Sequence, residues 1–544
     1  MKKRKITAII LASLMGISAV PATAWAADSY KETEKAAFAK AIQEMGADYA
    51  QDLAQIGDGA VKGNAEIKLS LDDGGKAILG MLTPVDISWL EDASMDTKVN
   101  LNEGTMIETM DVKVNGTKIC TIEYYFDTEN SEVYMRIPEL NEGYIKMNME
   151  QMTQEAEAEM EEEGMDSSFS TSMDLADAMN SYFSTLDNLP EADALTSILT
   201  RYSDIIFDNM TDGENPGTQS SAAGDVSQEG HVTQAEAQPM FQQILDTAKT
   251  DEELKGLIES WTEAMNDPEY SYDTFLQAIE DLEKDLDGEI DESDTSGFVL
   301  RAWVDDNGEV VGREVLADDG EQEESLFSYL CTTDGDQRGF SFTMGSDEDS
   351  VGLYGSGTLS GDVLSGTYTF TSGGEDAVVI EVADYDTKAV ENGIWKGTYT
   401  ISGAPIEDED GNSYDPFGGM QLIFTTDGKD ENNMEWNLTL AANGVSLGAL
   451  SITGGNEGED LEAVDFASLT DVYDFSNDAD VEKFGEDVNM DTITANLTSA
   501  GMPDGWLESV MEAASGSGAE EITEYDDQTD MAGDTLDDSE TPAA

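Results

Sequence analysis

The sequence predicts an α+β protein, a large antiparallel sheet system with an N-terminal helix and an inserted helical block. Three observations predict it. Apolar residues recur at spacings of three and four soon after residue 27. They then alternate at a period of two over about 60–150, and again from Phe298 to about Phe475. Between those strand-rich stretches the helical spacing returns, and Gly, Asn and Asp punctuate the alternating runs as they do in an antiparallel meander.

Residues 1–26 read as a secretory signal peptide. Lys2, Lys3, Arg4 and Lys5 precede an apolar stretch from Ile6 to Val20, and Ala24-Trp25-Ala26 offers a small-x-small cleavage site. No Cys follows that stretch for lipid attachment, and the end, DTLDDSETPAA, has the character of neither a hydrophobic anchor nor a sorting signal. Nothing after the signal approaches the roughly 18 consecutive apolar residues of a membrane span. The protein is therefore expected to be secreted by a cleavable signal, with no lipid or wall anchor.

Residues 27–150 are expected to form the N-terminal helix and a meander. Phe38, Ile42, Met45, Tyr49, Leu53 and Ile56 mark one helix face. The strand candidates are "AEIKLSL", "PVDISWL", "TKVNL", "MIETMDVKVNG", "KICTIEYYF", "VYMRIP" and "YIKMNM", with Trp89 in phase with Val85 and Ile87 as core. Residues 151–296 read as a helical insertion. Leu195, Ile198, Leu199, Tyr202, Ile205 and Ile206 form one stripe. Leu254, Leu257, Ile258, Trp261 and Met265 form a second behind a Thr250–Glu253 capping-box pattern, and Tyr272, Phe275, Ile279, Leu282 and Leu286 a third. Residues 211–232, rich in Gly, Ser, Asn and Asp, read as a long exposed flexible loop. A second antiparallel sheet region follows over 297–475, where Met434, Trp436, Leu438 and Leu440 share one face, as do Trp395, Tyr399 and Ile401. C-terminal helices over 476–514, with Trp506, Leu507, Val510 and Met511, are expected to pack on the sheet. Residues 515–544 read as a disordered acidic tail.

The chain carries 117 Asp and Glu against 26 Lys and Arg, a formal net charge of −91. Self-repulsion at that level favours solubility and opposes compaction. A polyanion gains no counterion-release free energy from nucleic acid, so no nucleic-acid partner is expected. Between Met147 and Ala248 the one basic residue is Arg201, and none follows Lys483.

The inventory excludes several chemistries. The single histidine, His231, falls in the loop-like stretch and reads as a solvated residue, whereas a nucleophilic triad needs a positioned imidazole. Zinc sites built from several His or Cys ligands need more than one His and two Cys. "DTSG" at 294–297 lacks the preceding apolar strand and the second copy of an aspartic-protease pair, so Asp294 reads as a turn residue. "EDEDGNSYD" at 407–415 fails as an EF-hand, because Ile406 and Phe417 fall at the first and twelfth positions. "GGNEGED" at 454–460 occurs once, out of register with a calcium repeat. No cofactor is expected, although acidic loops of this kind suit loosely held calcium. Trp303 lies on the opposite face from Phe298, Leu300, Ala302 and Val304, where it either stacks on a sugar or packs under a helix. Cys120 and Cys331 each alternate in phase with apolar neighbours, so two free buried thiols and one disulfide joining the halves both fit.

The remaining signal is a Met-bearing apolar face. Ile122, Tyr124, Phe126, Val133, Met135, Ile137, Ile145, Met147 and Met149 point one way across three strand candidates, in a chain with 25 Met. Met-rich faces adapt to varied apolar ligands. A helix, a long meander with such a face and then inserted helices resembles, over about residues 28–150, the half-barrel lipoprotein carriers of the LolA/LppX type. That resemblance implies a strongly curved sheet wrapping an apolar cavity, with no motif residue carried across. The chain is also similar to uncharacterised secreted proteins of Gram-positive bacteria. The leading expectation is a secreted, non-enzymatic binding protein for an apolar or amphipathic small-molecule ligand, held on the nine-residue face. An acidic interaction protein for calcium or basic partners and a carboxylate-based glycoside hydrolase are the alternatives.

Overall fold

A computed structural model describes residues 29–149 and 189–510, less short stretches at 57–60, 83–84, 103–104, 128–129, 214–219, 222–223, 226–227, 266–270, 287–295, 306–307, 321, 346–348, 408–412, 431, 457, 459–460 and 463. The signal peptide, the helices expected over 151–188, Asp294 and the acidic tail lie outside the described residues. Helix α1 (Tyr30–Ile56) leads into β1 (Val61–Leu71), α2 (Asp73–Leu82), β2 (Asp92–Asn102), β3 (Thr105–Val114), β4 (Thr117–Asp127), β5 (Glu132–Ile137) and β6 (Asn141–Asn148). Then come α3 (Ala192–Asp208), β7 (Thr211–Asp212), β8 (Ser220–Ser221), β9 (Gly224–Asp225), β10 (Gln228–Thr233), α4 (Gln234–Ala248), α5 (Glu252–Met265) and α6 (Tyr272–Leu286). The second strand-rich half holds β11 (Gly297–Val304), β12 (Val310–Asp318), β13 (Glu323–Asp334), β14 (Gln337–Met344), β15 (Val351–Ser360), β16 (Val363–Ser372) and β17 (Glu375–Asp386). It continues through α7 (Thr387–Glu391), β18 (Lys396–Gly403), β19 (Ile406–Glu407), β20 (Ser413–Tyr414), β21 (Met420–Asp427), β22 (Asn433–Ala442) and β23 (Val445–Gly455). The described chain then finishes with β24 (Val472–Asp474), α8 (Asp478–Asp487) and α9 (Asp491–Ser499).

The fold is α+β, built on one 20-stranded, curved and unclosed sheet. From edge to edge the order is β7, β10 through β18, β21, β22, β23, then β1 through β6 and β24. Every pairing is antiparallel except β6–β24. The two halves of the sequence fuse where β1 pairs with β23, with Ile67 opposite Ile452 and Leu69 opposite Leu450. Asn115-Gly116 and Asn443-Gly444 make tight hairpin turns with both residues at positive φ, the geometry that matches strand twist. The edge strands, two and three residues long, present little unpaired backbone to another sheet.

The principal core lies at the β10–β13 end. Phe38 and Ile42 of α1, Ile206 and Phe207 of α3 and Met240 and Phe241 of α4 bury against Phe298, Leu300, Val315 and Phe327. Lys35 of α1 clamps Asp204 and Asp208 of α3 at 3.0 and 3.1 Å on the outer side. On the inner side Arg313 Nε sits 2.9 Å from both carboxylate oxygens of Glu34, and both side chains are fully buried.

Several expectations are corrected here. The end of the 211–232 stretch is not exposed loop: β10 takes it up, pairs with β11, and buries Val232 completely. Burial of one strand face outweighs a polar, Gly-rich composition. His231 accordingly sits on β10, half-buried, with Nε2 2.9 Å from Glu229. Residues 85–90 of "PVDISWL" form a turn rather than a strand, and Trp89 there meets Trp506 edge-on at 5.4 Å. Helix α2 was not foreseen, because Gly74, Gly75 and Gly80 lower its intrinsic propensity.

The capping box also moves. Thr233 and Glu236 form a reciprocal one at the start of α4. At α5 the cap is Asp251, whose Oδ1 accepts from the Glu253 and Leu254 amides at 3.1 Å each. Its other oxygen takes hydrogen bonds from Arg201 and Tyr202. Burial opposes ionisation of Asp251, but those donors win and hold its carboxyl below the usual range. Asp251→Ala is expected to cost about 2–3 kcal/mol, the sum of a lost cap and the lost charge-assisted bonds from Arg201 and Tyr202, although Arg201 keeps Glu253 as a partner. Urea unfolding followed by circular dichroism measures it; a loss under about 0.5 kcal/mol, the range of an ordinary surface change, contradicts the assignment.

Candidate functional site

In the middle of the sheet, strand register places most of the large apolar side chains on one face. Following partners outward from β18, Tyr399 faces Phe424, which faces Leu438, then Leu450, then Leu69. The next row runs Ile401, Leu422, Leu440, Gly448 and Leu71. The reverse face of these strands carries Thr, Ser and Asn, with Asn437 bonded to Ser451 at 2.9 Å and Thr398 beside Thr425 at 3.3 Å. The sheet is thus amphipathic across its thickness.

The nine residues expected to hold a ligand lie on that apolar face at its β4–β6 end. Phe126 opposes Val133, which opposes Met147; Tyr124 opposes Met135, which opposes Ile145. Phe126 and Val133 are 0% and 1% exposed, packed with Leu101, Met106, Tyr124, Met147 and Met149. Ile145 is buried too, while Ile122, Met135 and Ile137 are half-buried. This end is a closed cluster more than an open cleft. Behind it, Ile107, Tyr125 and Tyr134 are covered by the chain around Leu461–Val472, with Phe466 stacked on Tyr134 at 4.6 Å. No pattern in the sequence pointed to that cover.

The open part of the face is in the middle of the sheet. There Leu69, Leu71, Leu422, Leu438, Leu440 and Leu450 floor a groove of about 410 Å³, walled by Gly75, Ile78 and Leu79 of α2 and by Leu447. Its volume falls within the ordinary range for small-molecule sites. Leu69, Leu422, Leu440 and Ile78 remain 48%, 36%, 42% and 42% exposed, a concentration of aliphatic surface that marks an interaction site. The helix can come this close because Gly74 and Gly75 lack side chains. A Cβ at Gly75 would lie 1.9 Å from the Leu447 carbonyl oxygen, and one at Gly74 2.9 Å from the Leu447 side chain. Gly75→Ala is therefore expected to lift α2 from β23, lowering stability by about 1–3 kcal/mol and raising proteolytic cleavage within 73–82. Unchanged protection of that helix contradicts the packing.

The other candidates resolve differently. Cys120 on β4 and Cys331 on β13 are free thiols, which corrects the disulfide alternative. Strands β14 through β18, β21 through β23 and β1 through β3 separate them in the sheet. Burial pushes both thiols up, which disfavours the nucleophilic thiolate form. Trp303 is buried, 7% exposed, and offers no sugar platform. Beside it, Arg301 is enclosed by Glu229 and Glu323 at 3.0 and 2.6 Å, with Glu314 at 3.4 Å. Among the described residues, no group of His, Cys, Asp or Glu is arranged to hold a metal ion, and no helix is long and apolar enough to cross a membrane.

No protein-family model matches the chain, and no curated protein matches it.

Proposed function

We propose that the chain is an exported, non-enzymatic binding protein for an apolar or amphipathic ligand, which lies in the leucine groove beside α2. The observation that carries this reading is the groove itself: aliphatic floor, aliphatic helical wall, and side chains left about half exposed at the centre of the sheet. Burying such surface contributes about 25 cal/mol per Å², so a ligand covering the floor gains several kcal/mol without any polar anchor. The β4–β6 face supports the reading less, because its central pair Phe126 and Val133 is already buried.

The test is Nile red titration of the mature protein and of Leu440→Asp with Ile78→Asp. Both positions are partly exposed, so the fold tolerates the charges. The expected result is strong fluorescence enhancement by the native protein and at least a tenfold weaker response from the double variant. Equal responses would place the apolar site elsewhere, and no response from either would end the reading.

A further inference from the structure

Resting on that reading, we infer that the groove takes a cationic amphiphile, specifically a basic amphipathic helical peptide laid across the strands beside α2. Three observations converge on this occupant.

The first is charge. A chain at −91 repels a second copy of itself and repels anionic lipid headgroups, while a cationic ligand is attracted from a distance. Acidic residues adjoin the groove's lining along the chain, Asp72 and Asp73 standing between the lining residues Leu71 and Gly75. Asp72 accepts a hydrogen bond from Ser446, and Asp73 starts α2. Asp415 holds the Phe417 and Gly419 amides at 2.8 Å, in the turn that meets Asn443. Lys76 also lies on α2, its amide bonded to the Asp72 carbonyl.

The second is size. The row from Tyr399 to Leu69 crosses five strands. At the usual spacing of about 4.8 Å that is roughly 19 Å, the length of a helix of about 13 residues. Gly448 interrupts the neighbouring row between Leu440 and Leu71.

The third is that the floor already accepts a helix. Helix α2 packs on β23 and β1. A second helix parallel to it would extend the missing layer over a sheet face that, toward β10–β13, is covered by α1, α3 and α4. Its apolar stripe would meet the leucines and its Lys or Arg face would remain among the aspartates, the helix-in-groove mode of recognition.

Fluorescence anisotropy with dye-labelled synthetic peptides tests the inference on the full mature chain. The probes are an amphipathic Leu/Lys helix, a scrambled peptide of the same composition, and the amphipathic helix with every Lys replaced by Gln. Nile red binding is measured in parallel. The amphipathic cationic peptide is expected to bind at least tenfold more tightly than either control, and at least tenfold more weakly to Leu69→Asp with Leu440→Asp. Equal binding of the scrambled peptide, or an unchanged affinity in the variant, overturns the inference by reducing it to bulk charge attraction. Binding of Nile red and the Gln peptide with no preference for Lys overturns the cationic class while sparing the binding-protein reading. Failure of every probe, Nile red included, overturns both. Ile78→Glu, altered on α2 instead of the sheet, provides a second variant should Leu69→Asp with Leu440→Asp fail to fold.

Discussion

Glu34→Ala is expected to destabilise the protein by about 3–5 kcal/mol, the cost of leaving a buried guanidinium without its counter-ion. Arg313 and Glu34 are each 0% exposed, and the pair ties α1 to β12 inside the principal core. Arg313 also donates to Tyr329, whose hydroxyl burial pushes up to about 12. Burial pushes the Glu34 carboxyl up as well, and Arg313 offsets that only in part. A carboxyl raised in the folded state means that keeping it ionised costs folding free energy. The pair is therefore held in place by the geometry around it and does not itself drive folding. The consequence is asymmetric. Removing one partner is expensive, whereas Glu34→Leu with Arg313→Met should regain most of the loss. Urea denaturation of the two single variants and the double variant gives the coupling energy. A Glu34→Ala loss below about 1 kcal/mol, or a double variant no better than the worse single one, would show that the pair does not dock α1.

That pair also shows how far the sequence could be read. The α1 stripe was plain from Phe38 and Ile42, and Tyr30 and Glu34 continue it backwards at the same spacing of four. A charged residue in an apolar stripe signals a buried partner. Arg313, in phase with Val315 on β12, is the matching anomaly, but 279 positions separate the two and no local pattern links them. The groove was half legible in the same way. "AEIKLSL" and "NMEWNLTLA" showed leucines on one face each. What joins them is the β1–β23 pairing, a contact between distant strands fixed by tertiary packing and not by periodicity. Phase tells which residues share a face and is silent on what covers that face. This is why the Met-bearing face, expected to hold a ligand, has its central pair packed away, while the Leu floor is left exposed. The helix that walls the groove escaped because its three glycines, two of which (Gly74 and Gly75) allow the close approach to Leu447, look like a loop.

Stability is expected to peak in mild acid and to respond strongly to salt, through two opposed linkages. Asp251, Glu236 and Asp111 are held below the usual carboxylate range: burial raises each, and their hydrogen-bond donors outweigh it. For Asp251 the chief donor is Arg201, for Glu236 it is Thr211 with Thr233, and for Asp111 it is Lys118 with Thr121. A depressed folded-state pKa contributes stability that is complete above the ordinary value near 4 and is lost as pH falls through the depressed one. These three therefore define the acid limb. The 117 carboxyl side chains set against 26 basic ones act the other way. Mutual repulsion in the compact state makes the folded chain bind protons more readily than the unfolded one, so stability falls as pH rises. The maximum should lie at about pH 4.5–6, acid of neutrality. Salt separates the two effects, because the screening length shrinks from about 10 Å at 0.1 M to about 3 Å at 1 M. Partly buried hydrogen-bonded carboxylates are screened little at that range, whereas summed surface repulsion is largely removed. Thermal unfolding between pH 3 and 9 at low and high NaCl should show Tm at pH 8 rising by roughly 5 °C in 1 M salt. At pH 3.5 the rise should be much smaller. A salt-independent Tm at pH 8 would mean that the acidic residues are already neutralised within the fold, and would remove the charge argument for a cationic ligand along with it.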